Sequence, residues 1–380
     1  MIPEAARCVK CGLCLAGCPT YQLSSSETMS PRGRIALVQA LAQGQLVVDG
    51  YSHEVLASCL LCRRCEAVCP SEVPFGMLMD RGRELVRSRQ GWKEKLLIAI
   101  LPRRVWMHLL ARIGKAALPE TTPMGKMLTQ ARLDAPEPEE LRRPRGTRTV
   151  GRVGLFTGCT GSLFDSAVIE GATELLLQAG YEVQIPRRQA CCGALDAHGG
   201  NAKRAARLLS INEAAFASAG ELEAVVSIAS GCGAQLAGYP ALGEKHVDIG
   251  SFLARERVIS RLRFRPLPKC AVVHIPCTLE NVLHGAEAVL QLLGRIPQLR
   301  VGQMEKRGAC CGAGGTAFLL RPGMADNLRQ PFVQQIGELV PDYVLSSNVS
   351  CRLHLQAGVD MAGVRFMHPV TLLAQQLIRD

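Results

Sequence analysis

Seventeen cysteines stand in this chain of 380 residues, most of them in patterns that packing alone would not leave. Two runs share one spacing, Cys8-x2-Cys11-x2-Cys14-x3-Cys18-Pro19 and Cys59-x2-Cys62-x2-Cys65-x3-Cys69-Pro70. Thiolates so closely spaced can wrap three corners of an iron–sulfur cube, while the fourth, turned away by the proline, reaches the neighbouring cube. The runs are therefore read as ligands of two [4Fe-4S] clusters. Cys8, Cys11, Cys14 and Cys69 are expected on one, and Cys18, Cys59, Cys62 and Cys65 on the other. Such clusters carry single electrons. A pair of four-cysteine zinc sites is the alternative, but two runs ending in Cys-Pro match cluster ligation and not paired zinc knuckles.

A second constellation lies downstream. Cys191-Cys192-Gly193 returns as Cys310-Cys311-Gly312, with Cys159 and Cys232 flanking the first pair and Cys277 and Cys351 the second. Cys159 to Cys277 is 118 residues, and Cys191 to Cys310 and Cys232 to Cys351 are each 119, so an internal duplication is the economical explanation. The sets Cys159, Cys191, Cys192, Cys232 and Cys277, Cys310, Cys311, Cys351 are candidate ligands for further iron–sulfur clusters. A redox-active thiol pair and inert buried thiols are the other readings. Cys270 begins a strand without a partner set and is read as structural.

The elements that must position these thiols differ between the two regions. Ile35, Leu37, Val38 and Leu41 recur at helical spacing, so a helix over Arg32–Ala42 is expected to join the two runs into one small α-helical domain. Beyond residue 148 strands and helices alternate. Strands are expected at 152–157, 181–185, 224–229 and from 247, with helices at 165–179 and 201–219. The second copy repeats this with strands at 271–276, 299–304, 343–347 and from 366, and helices at 281–293 and 325–339. The β/α order implies parallel sheets. Every cysteine of each set then falls just past the carboxyl end of a strand, the edge along which such sheets bind ligands.

The fold class is thus multidomain α+β: an α-helical two-cluster ferredoxin domain followed by two duplicated α/β modules with parallel sheets. The expected units are 1–90 for the ferredoxin domain, 91–148 for a basic helical segment and linker, 149–265 for the first module and 266–380 for the second. The linker is read from Ala135 onward, where proline and charge concentrate, with a boundary near residue 148.

Composition narrows the function. At 48% hydrophobic residues the chain can bury real cores. A net charge of +11 favours an acidic partner or an anionic membrane surface; with 4% aromatic residues and no basic stripe interleaved with rings, nucleic acid is not expected. No signal-peptide core precedes Cys8, which makes a reduced, cytoplasmic protein the expectation, and no aliphatic run approaches the ~20 residues of a membrane span. From Gly91 to Leu118 apolar and basic residues alternate at helical spacing, with Trp92 and Trp106 among them. That stretch suits a membrane interface, or a helix pair packed on its own chain or on a partner. No Gly-x-Gly-x-x-Gly follows a strand, so no flavin or nucleotide is expected on this chain and no catalytic residue is assigned.

The cysteine runs, Cys18-Pro-Thr-Tyr-Gln-Leu followed by Pro31-Arg-Gly-Arg-Ile, Ala229-Ser-Gly-Cys-Gly-Ala, Pro276-Cys-Thr-Leu and Cys310-Cys-Gly-Ala-Gly-Gly-Thr together resemble the iron-sulfur subunit of bacterial glycolate oxidase (glycolate dehydrogenase). The likeness runs nearly end to end. Single motifs are shared with lactate oxidation subunits, the anaerobic glycerol-3-phosphate dehydrogenase C subunit and heterodisulfide reductase B subunits. The resemblance implies an electron-transfer subunit. An FAD-binding partner subunit would oxidise the 2-hydroxy acid, glycolate to glyoxylate, and this chain would pass the electrons to the membrane quinone pool. It would do so in the cytoplasm, peripherally on the inner face of the plasma membrane. A D-lactate or glycerol-3-phosphate dehydrogenase subunit, or a heterodisulfide-reductase-like thiol site, is the alternative. Heterodisulfide reductase B subunits end their module in Cys-x2-Cys, whereas here Gln235 follows Cys232 and His354 follows Cys351 at that step. A five-thiolate cluster is therefore not expected. His354, His198 and His274 lie near the cysteine loops, and a histidine ligand would raise a cluster's potential.

Overall fold

The computed structural model describes residues 2–144, 149–305 and 309–379. The boundary expected near residue 148 lies outside them. The N-terminal region is helical, with Pro31–Ala42, Gly50–Ala57 and Phe75–Val86 as its main helices. Pro31 opens its helix and Ser30 caps it, the Oγ accepting from Gly33 N at 3.0 Å. Residue 33 must be glycine, because a Cβ there would lie 2.0 Å from Glu27 O. Ile35, Val38 and Leu41 pack on Leu56, Phe75, Leu78 and Met79, which closes a small core beneath the cysteine runs. Arg34 is only 1% exposed. It donates to Val55 O (2.8 Å), Met29 O (2.5 Å), Thr20 Oγ1 (2.9 Å) and Ser58 Oγ (3.1 Å), tying the two halves together.

Among the described residues nine strands follow: β1 (Leu141–Arg142), β2 (Gly151–Phe156), β3 (Tyr181–Gln184), β4 (Ala224–Ser227), β5 (His246–Asp248), β6 (Cys270–His274), β7 (Arg300–Gln303), β8 (Tyr343–Ser346) and β9 (Arg365–Met367). They form two sheets, ordered β1-β3-β2-β4-β5 and β7-β6-β8-β9. All neighbours pair in parallel except β1, which runs antiparallel to β3. Without β1 the two orders are the same, as a duplicated chain requires. β1 comes from the stretch read as linker, so that stretch also supplies the first sheet's edge. One expected helix is broken: in place of 281–293 there are Cys277–Asn281 and Ala286–Leu293. His284 between them has φ 52°, a left-handed backbone that no helix continues through.

The two modules share one core. Val153, Leu155, Leu175 and Phe252 of the first are continuous with Val273, Leu292, Leu345 and Leu373 of the second. The packing is reciprocal: Ser166–Gln178 lies on Pro369–Gln376, and its duplicate Ala286–Leu293 lies on Ile249–Leu253. At the first crossing a Cβ on Gly171 would come within 2.9 Å of Ala374 Cβ, so the close approach needs glycine. At the cysteine edge the modules also join through Ser230 N to Ser347 O (3.0 Å) and Thr278 Oγ1 to Ser230 Oγ (2.9 Å).

Candidate metal centres

The two N-terminal runs have the same backbone shape. Lys10 and Gly12 take φ 58° and 86°, and Leu61 and Arg63, at the matching steps, take 50° and 56°. A left-handed backbone at bulky Leu61 costs about 1–2 kcal/mol, and turns of this kind gather N–H groups into the concave nests that hold iron–sulfur anions. Cys8, Cys11, Cys14, Cys65 and Cys69 line one small pocket, with Cys11 exposed at its rim. Cys65 is also crowded by Cys62, Cys59 and Cys18. Burial first, and then these neighbouring thiols, push the Cys65 thiol far up; burial first and Cys310 next do the same to Cys62. Thiols packed this way cannot all ionise alone, so the donor set fits a cationic centre.

The second run meets the second module. Leu60 and Cys62 are buried with Cys277, Cys310 and Ala317 in one apolar cluster, and Asn281 Nδ2 donates to Cys62 O at 2.8 Å. Arg83 joins the same region to the first module, donating to Leu56 O (3.0 Å), to Cys59 O and to His198 O (2.9 Å).

In the first module the cysteine loops are held from several directions. Gln189 accepts from Thr157 N (2.8 Å), which ties the Cys159 loop to the Cys191 loop, and Arg104 donates to Gly158 O (3.1 Å). Asn212 donates to Cys191 O (3.0 Å) and Tyr239 to Cys192 O (2.6 Å). Gly193 turns the chain at φ 81°. Cys191 accepts from Cys159 and then from Cys192, and these bonds hold its thiol well below the ordinary range; the hydrogen bond to Cys191 is also the main cause that raises both donors. One proton is thus shed readily from the set, as a metal-binding thiolate group requires.

The second module repeats the strand-end placement with a different inner arrangement. Cys277 and Cys310 pair with each other on the side of Cys62. Cys311 and Cys351 pair with each other, and His274 stands beside them, all three buried, their donor atoms within 4.8 Å of one another. A cavity of about 1120 Å³ is lined by Cys59, by Cys159, Cys191, Cys192 and Cys232, and by Cys277, Cys310 and Cys351, so cysteines of all three regions line one continuous space.

Of the other histidines, His354 Nε2 lies 3.2 Å from Ala325 O, and His198 Nδ1 pairs with Asp80 at 2.9 Å. Both have partners other than thiols, while His354 stays within electrostatic reach of Cys311. Cys270 sits apart, its N–H donating to Asp342 at 2.9 Å. Arg83, Gln189, Asn212 and Tyr239 had no signal in the sequence, since a polar side chain that reaches a distant carbonyl leaves no periodic trace.

Comparison with known proteins agrees with this picture. A 4Fe-4S dicluster domain matches residues 4–73, and a cysteine-rich domain matches twice, at 153–237 and 271–356. The chain therefore carries multiple iron–sulfur clusters. It is 26% identical to lactate utilization protein A of Geobacillus thermodenitrificans, over 58% of this chain and 98% of that protein. It is 29% identical to the probable glycolate oxidase iron-sulfur subunit of Bacillus subtilis, over 98% of this chain and 94% of the relative. With 30% identity to the glycolate oxidase iron-sulfur subunit of Escherichia coli, over 98% of this chain and 94% of that protein, the chain belongs to the family of glycolate oxidase iron-sulfur subunits.

Proposed function

We propose that this chain is the electron-transfer subunit of a flavin-dependent glycolate dehydrogenase, taking electrons from an FAD-binding partner that oxidises glycolate to glyoxylate and passing them toward quinone. Cys8, Cys11, Cys14 and Cys69 would hold one [4Fe-4S] cluster and Cys18, Cys59, Cys62 and Cys65 the second, within a ferredoxin domain of residues 1–90. The sets Cys159, Cys191, Cys192, Cys232 and Cys277, Cys310, Cys311, Cys351 would hold a further centre in each of the modules 149–265 and 266–380, joined to that domain through 91–148. Bound clusters supply one-electron steps between flavin and quinone. The observation that carries this reading is the burial of Cys62 against Cys277 and Cys310, which brings the second run and the second module into direct contact. Leu60 and Ala317 keep that junction apolar.

The acceptor side is supported by the helices Trp92–Ile100 and Arg104–Ala117. Trp92, Val105, Trp106 and Ile113 are exposed there, next to exposed Lys93, Lys95, Arg103 and Arg112. Among the described residues no helix is long and apolar enough to cross a membrane. We assign this face to peripheral contact with an anionic membrane surface, rings and aliphatics entering the interface and cations meeting headgroups. The purified chain should be brown and inert toward glycolate until the flavoprotein is added. Glycolate oxidation by the chain alone would overturn the proposal.

A further inference from the structure

The duplicated modules differ at one decisive step. β2 ends at Phe156, paired with Ser227; β6 ends at His274, paired with Ser346. Phe156 and His274 thus hold the same place in the two copies, each at the strand end that precedes its cysteine loop. In the first copy the Ser227 hydroxyl is bonded to His246 Nε2 at 2.9 Å, and no nitrogen ligand points from that strand toward Cys192 and Cys232. In the second the serine is bonded to His274 Nδ1 at 3.1 Å.

His274 is 1% exposed, and its Nε2 has no hydrogen-bond partner. A buried ring nitrogen is rarely left so, because the lost solvation is not recovered. Phe332 fixes the ring edge-on, with centroids 5.1 Å apart at 77°, and with Nδ1–H donating to Ser346 the lone pair on Nε2 is the one left for the thiols of Cys311 and Cys351 beside the ring. A second hydrogen bond that orients the ring and fixes its tautomer is what a metal-binding histidine normally has. The three donors lie within 4.8 Å of one another. Tetrahedral donors on one metal atom, with bonds of about 2.1 Å to nitrogen and 2.3 Å to sulfur, stand roughly 3.6–3.8 Å apart, so a small closure suffices.

We propose that His274 Nε2, Cys311 Sγ and Cys351 Sγ ligate one iron atom of the second module's iron–sulfur centre, which is therefore a mixed imidazole–thiolate centre, whereas the first module's centre is held by thiolates alone. The inference rests on the reading that the modules hold iron. Cys277 and Cys310, buried against Cys62 at the junction with the second run, remain the other thiolates of that set. A neutral imidazole at a coordination position that would otherwise be filled by an anionic donor leaves the centre less negative, so its potential lies above that of the first module. The duplication thus yields two centres of different potential within one chain.

The test uses the full-length, iron-loaded chain, grown with natural or 15N-labelled histidine, in pulsed EPR. The wild type is expected to show a directly bound imidazole nitrogen on one centre, its coupling changed by the label. His274→Phe, which installs the first module's residue, is expected to abolish that coupling and lower the potential of that centre only. Absence of the coupling in the wild type, its survival in H274F, or zinc in place of iron would overturn the proposal. C311A and C351A separate the two levels. Unchanged iron and sulfide in both would remove the underlying reading, whereas a loss of iron with no nitrogen coupling in the wild type would remove only the role of His274.

Discussion

The glycines of the two Cys-Cys-Gly motifs have the same letter and unequal duties, and alanine in each place should expose the difference. Gly193 has φ 81° and Gly312 has φ 90°, so either alanine pays the left-handed backbone cost of about 1–2 kcal/mol. At Gly193 the nearest atom a Cβ would meet is Ala205 O at 3.4 Å, an ordinary contact, so little is added. At Gly312 the same Cβ would stand 2.4 Å from Ala325 O and 2.9 Å from Ala325 Cα. Ala325 lies in the helix Pro322–Leu339, packed by Phe332 and Ile336, so relief requires the helix to retreat by about 1 Å. Overpacking of that kind adds about 1–3 kcal/mol, giving roughly 2–5 kcal/mol for G312A against 1–2 for G193A. The readouts are iron per chain as purified and the temperature at which cluster absorbance is lost. G193A should retain its iron and lose its colour a little earlier than wild type; G312A should lose iron and bleach at a distinctly lower temperature. Equal effects, or a more damaging G193A, would refute the reasoning from these contacts.

Other expectations follow from single groups. Arg34→Met removes the charged donor from Val55 O and Met29 O, leaving them to Ser58 Oγ and Thr20 Oγ1, a cost of about 1.5–3 kcal/mol per bond lost, and should strip iron from the N-terminal domain; wild-type iron in R34M would count against it. His368 is buried, and burial holds its pKa at about 3 against 6.5 when free, so its contribution to stability is full at neutral pH and falls away as pH drops from 6.5 toward 3. His368→Asn keeps an acceptor for Val370 N and should flatten that decline, by about 2 kcal/mol at pH 5, in denaturant titrations at a series of pH values. V105E combined with I113E should abolish salt-sensitive binding to vesicles containing anionic lipid and the accompanying tryptophan fluorescence change; binding equal to wild type would contradict the assigned face.

What the sequence disclosed depended on how local the signal was. Spacing alone gave the cysteine runs, because their shape is set within a few residues, and the helix expected at 32–42 is observed over Pro31–Ala42. The β/α order and the placement of every module cysteine past a strand end were legible for the same reason. β1 was not, since two residues within a charged, proline-rich stretch become a strand only by pairing with β3. The break at Val282–Gly285 was hidden as well, the apolar periodicity of 281–293 continuing across it. The reciprocal packing of the modules and the reach of Arg83 are tertiary facts with no local pattern. His274 is an intermediate case. Its place near the loops is legible, and the offset of the two copies sets it against Phe156, but its unpartnered nitrogen exists only in three dimensions.

The most direct test of the account is an anaerobic titration of the iron-loaded chain with glycolate and a trace of its flavoprotein, following cluster absorbance and counting the electrons taken up. Two [4Fe-4S] clusters accept about two electrons per chain, one each. The account predicts bleaching that depends on the flavoprotein and an uptake above about two electrons. Bleaching by glycolate without the flavoprotein, or an uptake that stops at about two, would contradict it.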